Sequence, residues 1–155
     1  MNAETNVGGS LDQTVELLGG SGTLKRRVRS QLEAHDLLAH GIPAKAFDHF
    51  ISKTHVFRID KTMEKTFGIS VRTYQRNKKT PNKALSPEQS GKTWKVAELM
   101  ARVIAIFGSE KAAETWFESP AMALEQRRPL DMLSTPKGIE LVEDHLTRLE
   151  YGVYT

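Results

Sequence analysis

The 155-residue sequence predicts an all-α protein built from two helical modules, on three observations. Apolar residues recur at three- and four-residue spacing in most segments between loop signals, and no stretch of note reads as a strand. Six hydroxyl residues, Ser30, Ser70, Ser86, Ser109, Ser119 and Thr135, stand where a helix N-cap is expected. The charge is divided: residues 1–83 carry 14 Lys plus Arg against 8 Asp plus Glu, and residues 84–155 carry 8 against 11. A basic front and an acidic back point to a polyanion for the first module and a different partner for the second.

In chain order, residues 1–29 are expected to form a flexible basic N-terminal arm. Five of the 11 glycines, Gly8, Gly9, Gly19, Gly20 and Gly22, flank the single apolar stretch LDQTVELL, which supports at most a transient helix. Lys25, Arg26, Arg27 and Arg29 follow, a run that reads either as a solvated face or as a phosphate contact.

Residues 30–84 are expected to hold the first module. Ser30 and Glu33 have capping-box spacing and open a helix through Leu32, Leu37 and Leu38 to a stop near Gly41. Pro43 starts the next, where Phe47, Phe50 and Ile51 share one buried face. Asp60 is placed to cap a short third helix ending at Phe67. Gly68 then supplies a tight turn, Ile69 drops into the core, and Ser70 caps a fourth helix, VRTYQRNKK. Short helix, glycine turn and second helix make a helix-turn-helix pattern. Ser70, Arg72, Thr73, Gln75, Arg76, Lys78 and Lys79 are its candidate DNA-contacting residues, supplying donors and acceptors for base edges and phosphates. Val71 and Tyr74 anchor the opposite face. From Lys53 to Lys83 there are nine Lys plus Arg and two acids, Asp60 and Glu64, so the positive charge coincides with the motif.

Residues 85–155 are expected to form the second module. Ser86, Pro87 and Gln89 combine a cap, a first-turn proline and a capping-box partner for a long connecting helix over about 87–107, on the order of 30 Å. Its stripe is Val96, Leu99, Met100, Val103, Ile104 and Phe107, with Trp94 sealing the joint between the modules. Ser109, Ser119 before Pro120, and Thr135 before Pro136 predict three further helix starts. In the last helix Ile139, Val142, Leu146 and Leu149 form one stripe, and Gly152 suits a left-handed C-cap. Tyr151, Val153, Tyr154 and Thr155 end the chain with two aromatics. They either pin the last helix to its own core or form a plug offered to a partner.

Catalysis finds no support in this inventory. The five histidines are scattered without helical metal-site spacing. Glu143, Asp144 and His145 are consecutive, so on a helix they diverge by about 100° each and read as a solvated face. There is no phosphate-binding glycine loop, no nucleophile elbow, and no cysteine for thiolate or zinc chemistry. No cofactor and no metal are expected. Absent a membrane span or a signal-peptide layout, the expected location is cytoplasmic.

The second module also carries a long spaced pattern. Ala113, Trp116, Phe117, Pro120, Ala123 and Leu124 are followed by Pro129, Leu130, Leu133, Thr135 and Gly138, then by Val142, Leu146, Arg148, Leu149, Gly152 and Tyr154. This resembles the toxin-binding domain of the Xre/MbcA/ParS antitoxins. One departure is plain: where that family commonly has a glycine pair after the Ala-Leu, this chain has Glu125 and Gln126. The resemblance covers roughly residues 30–155. It implies a Cro/C1-like helix-turn-helix module followed by a small helical toxin-binding bundle with an extended C-terminal tail. It also implies a type II system in which the partner is a RES-domain toxin that degrades NAD, that cofactor belonging to the toxin. The antitoxin would act as a homodimer within a larger complex, occlude the toxin's active site and bind operator DNA to regulate its own operon. Candidate toxin contacts on that basis are Trp116, Phe117, Arg127, Arg128, Tyr151, Gly152, Val153, Tyr154 and Thr155. The alternative is a stand-alone helix-turn-helix regulator whose C-terminal bundle dimerises or senses a ligand.

Overall fold

Residues 3–152 are described by the computed structural model, and their regular structure is helical. The order is α1 (Ala3–Leu17), α2 (Gly20–Leu24), α3 (Gln31–His40), α4 (Ala44–Lys53), α5 (Asp60–Phe67), α6 (Val71–Asn77), α7 (Pro87–Phe107), α8 (Glu110–Glu118) and α9 (Pro136–Glu150). Short 3-10 turns lie at His55–Phe57, Met122–Leu124 and Pro129–Met132.

Local chemistry sets most helix starts. The side chains of Ser30, Ser70, Ser86, Ser109 and Thr135 each accept a hydrogen bond from the backbone N–H three residues on, at 3.0 to 3.1 Å. Each such cap contributes about 1 kcal/mol. Ser86 and Gln89 complete a capping box, whereas Glu33 reaches past Ser30 to the Arg29 backbone at 2.9 Å. Helix α4 has no side-chain cap. Its leading N–H groups donate instead to the carbonyls of Lys83 (2.8 Å) and Pro81 (2.9 Å), which stitch the segment after α6 onto the α3–α4 turn. Gly41 sits in that seam at φ 93°, where a Cβ would lie 2.1 Å from the Leu85 carbonyl oxygen.

Four expectations need correction. From Leu11 on the N-terminal stretch is not a loose arm: Leu11 and Val15 on α1 and Leu18 just past its end are buried, and α1 packs along α7. Burying three such side chains contributes about 1.5–3 kcal/mol each, enough to offset the roughly 0.5–1 kcal/mol cost at Gly8 and again at Gly9. Asp60 is the first residue of α5 and Ile59 occupies the cap position. Ser119 closes α8 rather than opening a helix, its hydroxyl donating to the Thr115 carbonyl at 2.6 Å. Leu32 lies on the outer face of α3 and is 71% exposed.

Helix α7 is the axis of the fold, in contact with α1, α3, α5, α8 and α9. A run of rings links the two ends of the molecule: Phe47 meets Phe67 at 5.1 Å, Phe67 meets Phe57 at 5.8 Å, and Phe57 meets Phe117 at 5.6 Å. The Val56 N–H donates to Glu114 at 2.8 Å along the same seam. Trp94 is buried, and Lys95 and Arg102 of α7 pair with Glu143 and Glu150 of α9. One core therefore runs across residue 84.

Candidate nucleic-acid and partner interfaces

The first candidate surface is built on α5, the turn after it, and α6. Gly68 takes the left-handed conformation (φ 70°) and Ile69 is 1% exposed, so the turn is pinned from beneath and α6 starts at a fixed angle. Val71 and Tyr74 face inward against the core, with the Tyr74 ring 5.8 Å from Phe47. The Tyr74 hydroxyl donates to the Asp48 carboxylate, and partial burial together with that bond pushes the phenol well above its ordinary range. Its proton stays in place at any physiological pH.

With that face inward, Arg72, Gln75 and Arg76 are exposed, and Lys79 follows just past the helix end. Their offsets of zero, three, four and seven put them on one face. An α-helix with its side chains is about 10–12 Å across, a diameter that the roughly 12 Å width of a DNA major groove admits. The other expected contacts are engaged locally. Ser70 and Thr73 are half-buried and bonded to each other at 3.0 Å, so both serve the cap. Lys78 sits 4.8 Å above the Tyr74 ring and 4.0 Å from Asp48, which holds it beside α4.

The second surface lies at the end of α8 and α9. Trp116 is half-buried with Phe107 on one side (6.1 Å) and His145 on the other (5.9 Å, planes 20° apart). Phe117, expected as a flanking partner contact, is fully buried against Phe57 and Trp116 and offers no surface. His145, expected on a solvated face, is 8% exposed, and its Nδ1 is buried without a hydrogen-bond partner among the described residues. Burial holds it below the usual imidazole range, and Arg148 adds to the effect.

After α8 the chain doubles back through a tight loop. The Ala121 N–H donates to the Arg127 carbonyl (3.1 Å) and the Gln126 N–H to the Ala121 carbonyl (2.9 Å). Closing it puts Glu125 (φ 53°) and Gln126 (φ 67°) in left-handed backbone. The loop thus keeps a glycine-type conformation without glycine. Arg127 is exposed, while Arg128 makes two 2.9 Å bonds to Asp131. Pairing raises the guanidinium's pKa and holds the carboxyl below its usual range. Tyr151 is 82% exposed, just before Gly152 at φ 73°. Val153, Tyr154 and Thr155 lie outside the described residues.

Sequence reasoning missed Met122, which is 73% exposed at the tip of the loop that packs on α9, and Leu141, exposed on α9 itself. Neither stands out in sequence, because an apolar residue in a loop or beside a helical stripe gives no periodic signal. Among the described residues no cluster of His, Asp or Glu is placed to hold a metal, and no helix is long and apolar enough to cross a membrane.

Comparison with known proteins matches the two parts of the chain in turn. Residues 33–98 match the antitoxin Xre-like helix-turn-helix domain, and residues 102–152 match the antitoxin Xre/MbcA/ParS C-terminal toxin-binding domain. A curated relative, Antitoxin Xre of Yersinia enterocolitica serotype O:8 / biotype 1B (strain NCTC 13174 / 8081), is 33% identical over 89 residues. That alignment spans 57% of this chain and 60% of the relative's own length. With an Xre-like helix-turn-helix domain followed in order by the toxin-binding domain, the chain belongs to the Xre-type antitoxin family.

Proposed function

We propose that this antitoxin neutralises a cognate RES-domain, NAD-degrading toxin by covering its active site with the C-terminal domain and tail, and that it binds operator DNA to repress its own operon. The observation that carries the reading is that one continuous core presents two separate surfaces. One is the Arg72, Gln75, Arg76 and Lys79 face of α6. The other lies on the C-terminal part, where Trp116 is half-buried and Met122 and Tyr151 are each exposed.

The two halves of the function use different physics. Arginine pairs with guanine edges and glutamine with adenine, each good bidentate contact contributing about 1–3 kcal/mol of discrimination. In a homodimer two such helices would meet half-sites about 34 Å apart. Toxin blockade needs no chemistry from this chain. It needs a rigid domain and aromatic anchors, for which Tyr151 and Tyr154 are the candidates, that fill a cleft and exclude substrate. Arg127, outside the pairing that occupies Arg128, would supply a rim contact.

Co-expression with the product of the neighbouring gene, following intracellular NAD, tests the toxin half. Loss of residues 151–155 should let NAD collapse while the full chain protects it; protection by the truncated chain would rule out the plug. Arg72→Ala and Arg76→Ala should weaken operator binding and spare toxin inhibition, and equal loss of both would refute the division. The regulator alternative is favoured by one feature, an open cleft of about 220 Å³ between α1, α4, α7 and α8, lined by Glu16, Lys53, Ile104 and Glu110. A chain with no affinity for the neighbouring gene product would move that reading ahead.

A further inference from the structure

We propose that residues 25–29 form a second, preformed contact to the DNA phosphate backbone, separate from α6. This rests on the DNA-binding half of the function proposed above. The segment lies outside both family matches, which begin at residue 33. It is also not loose. Lys25 ends α2 in the left-handed conformation (φ 60°, ψ 22°), and the turn is anchored on both sides by Leu24 (3% exposed) and Val28 (6% exposed). Between those anchors Lys25, Arg26 and Arg27 are all exposed, and none forms an ion pair among the described residues. Arg29 differs, being bonded to Glu33.

A fixed display of three cations avoids the ordering cost that a flexible basic arm incurs on binding. Its place in the fold suits the same duplex. Helix α2 packs on α4, and α4 holds α6 through Phe47 and Asp48. The basic turn and α6 are thus both braced on α4. Duplex DNA carries a charge about every 1.7 Å of axis, so phosphates flanking those beneath α6 are the groups this turn would meet. Phosphate is favoured over an acidic protein surface because the turn presents only charge. From Ser21 to Gln31 no large apolar side chain is exposed, so the turn itself lacks the anchors that a protein partner would grip.

The test is a fluorescence-anisotropy titration of the full chain over a salt series. It uses a duplex from upstream of its own gene and a scrambled duplex of equal length. The neutral variant is Lys25→Asn with Arg26→Gln and Arg27→Gln, asparagine being tolerant of the left-handed backbone at position 25. Its salt dependence should flatten by about 0.9 in log–log slope for each phosphate it no longer neutralises, and its affinity at moderate salt should fall on the order of tenfold on both duplexes alike. Arg26→Lys with Arg27→Lys should keep the parental slope. An unchanged slope in the neutral variant, with the parent binding and Arg72→Ala weakening it, would overturn this contact and leave the α6 reading standing. Weaker binding to the toxin instead of DNA would assign the turn to an acidic protein partner. A parent that binds neither duplex would bring down both readings together.

Discussion

The loop at Glu125 and Gln126 yields the sharpest prediction, because it sets a local cost against a known remedy. Both residues adopt left-handed backbone, at φ 53° and 67°, and both side chains are exposed, with no hydrogen-bond partner among the described residues. For an L-residue that conformation costs roughly 1–2 kcal/mol. Glycine removes the cost but adds about 0.5–1 kcal/mol of chain entropy to the unfolded state. Glu125→Gly with Gln126→Gly should therefore stabilise the protein by about 1–2 kcal/mol. At roughly 2–4 °C per kcal/mol for a chain of this size, the melting temperature should rise by about 2–8 °C. The control is Glu125→Ala with Gln126→Ala, which removes the same side chains and keeps the backbone cost. Thermal and urea unfolding of the three proteins decide the matter. A glycine pair no more stable than the alanine pair would show that the backbone is not what these positions strain, and the reasoning would fail.

Two further outcomes follow from burial. Gly138→Ala should destabilise by about 1–3 kcal/mol or more, since its Cβ would stand 1.9 Å from the Met132 carbonyl oxygen and the α9 start would have to shift; urea unfolding with a midpoint at the parental value would contradict that packing. His145 should make stability depend on pH. Its folded pKa lies below the ordinary 6.5, so the unfolded chain binds the extra proton first. Its contribution is complete above about pH 6.5 and is lost as pH falls from there through the folded pKa. His145→Phe should give a flatter melting-temperature profile between pH 7.5 and 5.5 than the parent, and identical slopes would place the sensitivity elsewhere.

Much of the architecture is legible in sequence because the interactions that set it are short-range. A hydroxyl at Ser30, Ser70, Ser86, Ser109 or Thr135 finds its partner three residues away in any environment. The helical offsets that turn Val71 and Tyr74 towards the core also deliver Arg72, Gln75 and Arg76 to the opposite side, so the exposed face of α6 was readable with its motif. Lys78 was not, since its engagement with Asp48 joins residues 30 apart in sequence.

What remained hidden was decided by packing between distant segments. Leu11, Val15 and Leu18 have helical spacing, yet only the presence of α7 alongside makes their burial outweigh the glycines around them. Ser119 and Pro120 carry the chemistry of a helix start. The chain ends a helix there because it must turn back to bring Ala121 against Arg127. Phe117 and Trp116 are adjacent and both aromatic, yet Phe117 is the one fully buried, against Phe57, a residue 60 positions away in sequence. His145 is polar by composition and buried by its neighbours, Trp116 above all. Local sequence determines where helices begin and which faces they offer; the choice of face, and with it which residues stay exposed, belongs to the long-range contacts around α7 that no short window contains.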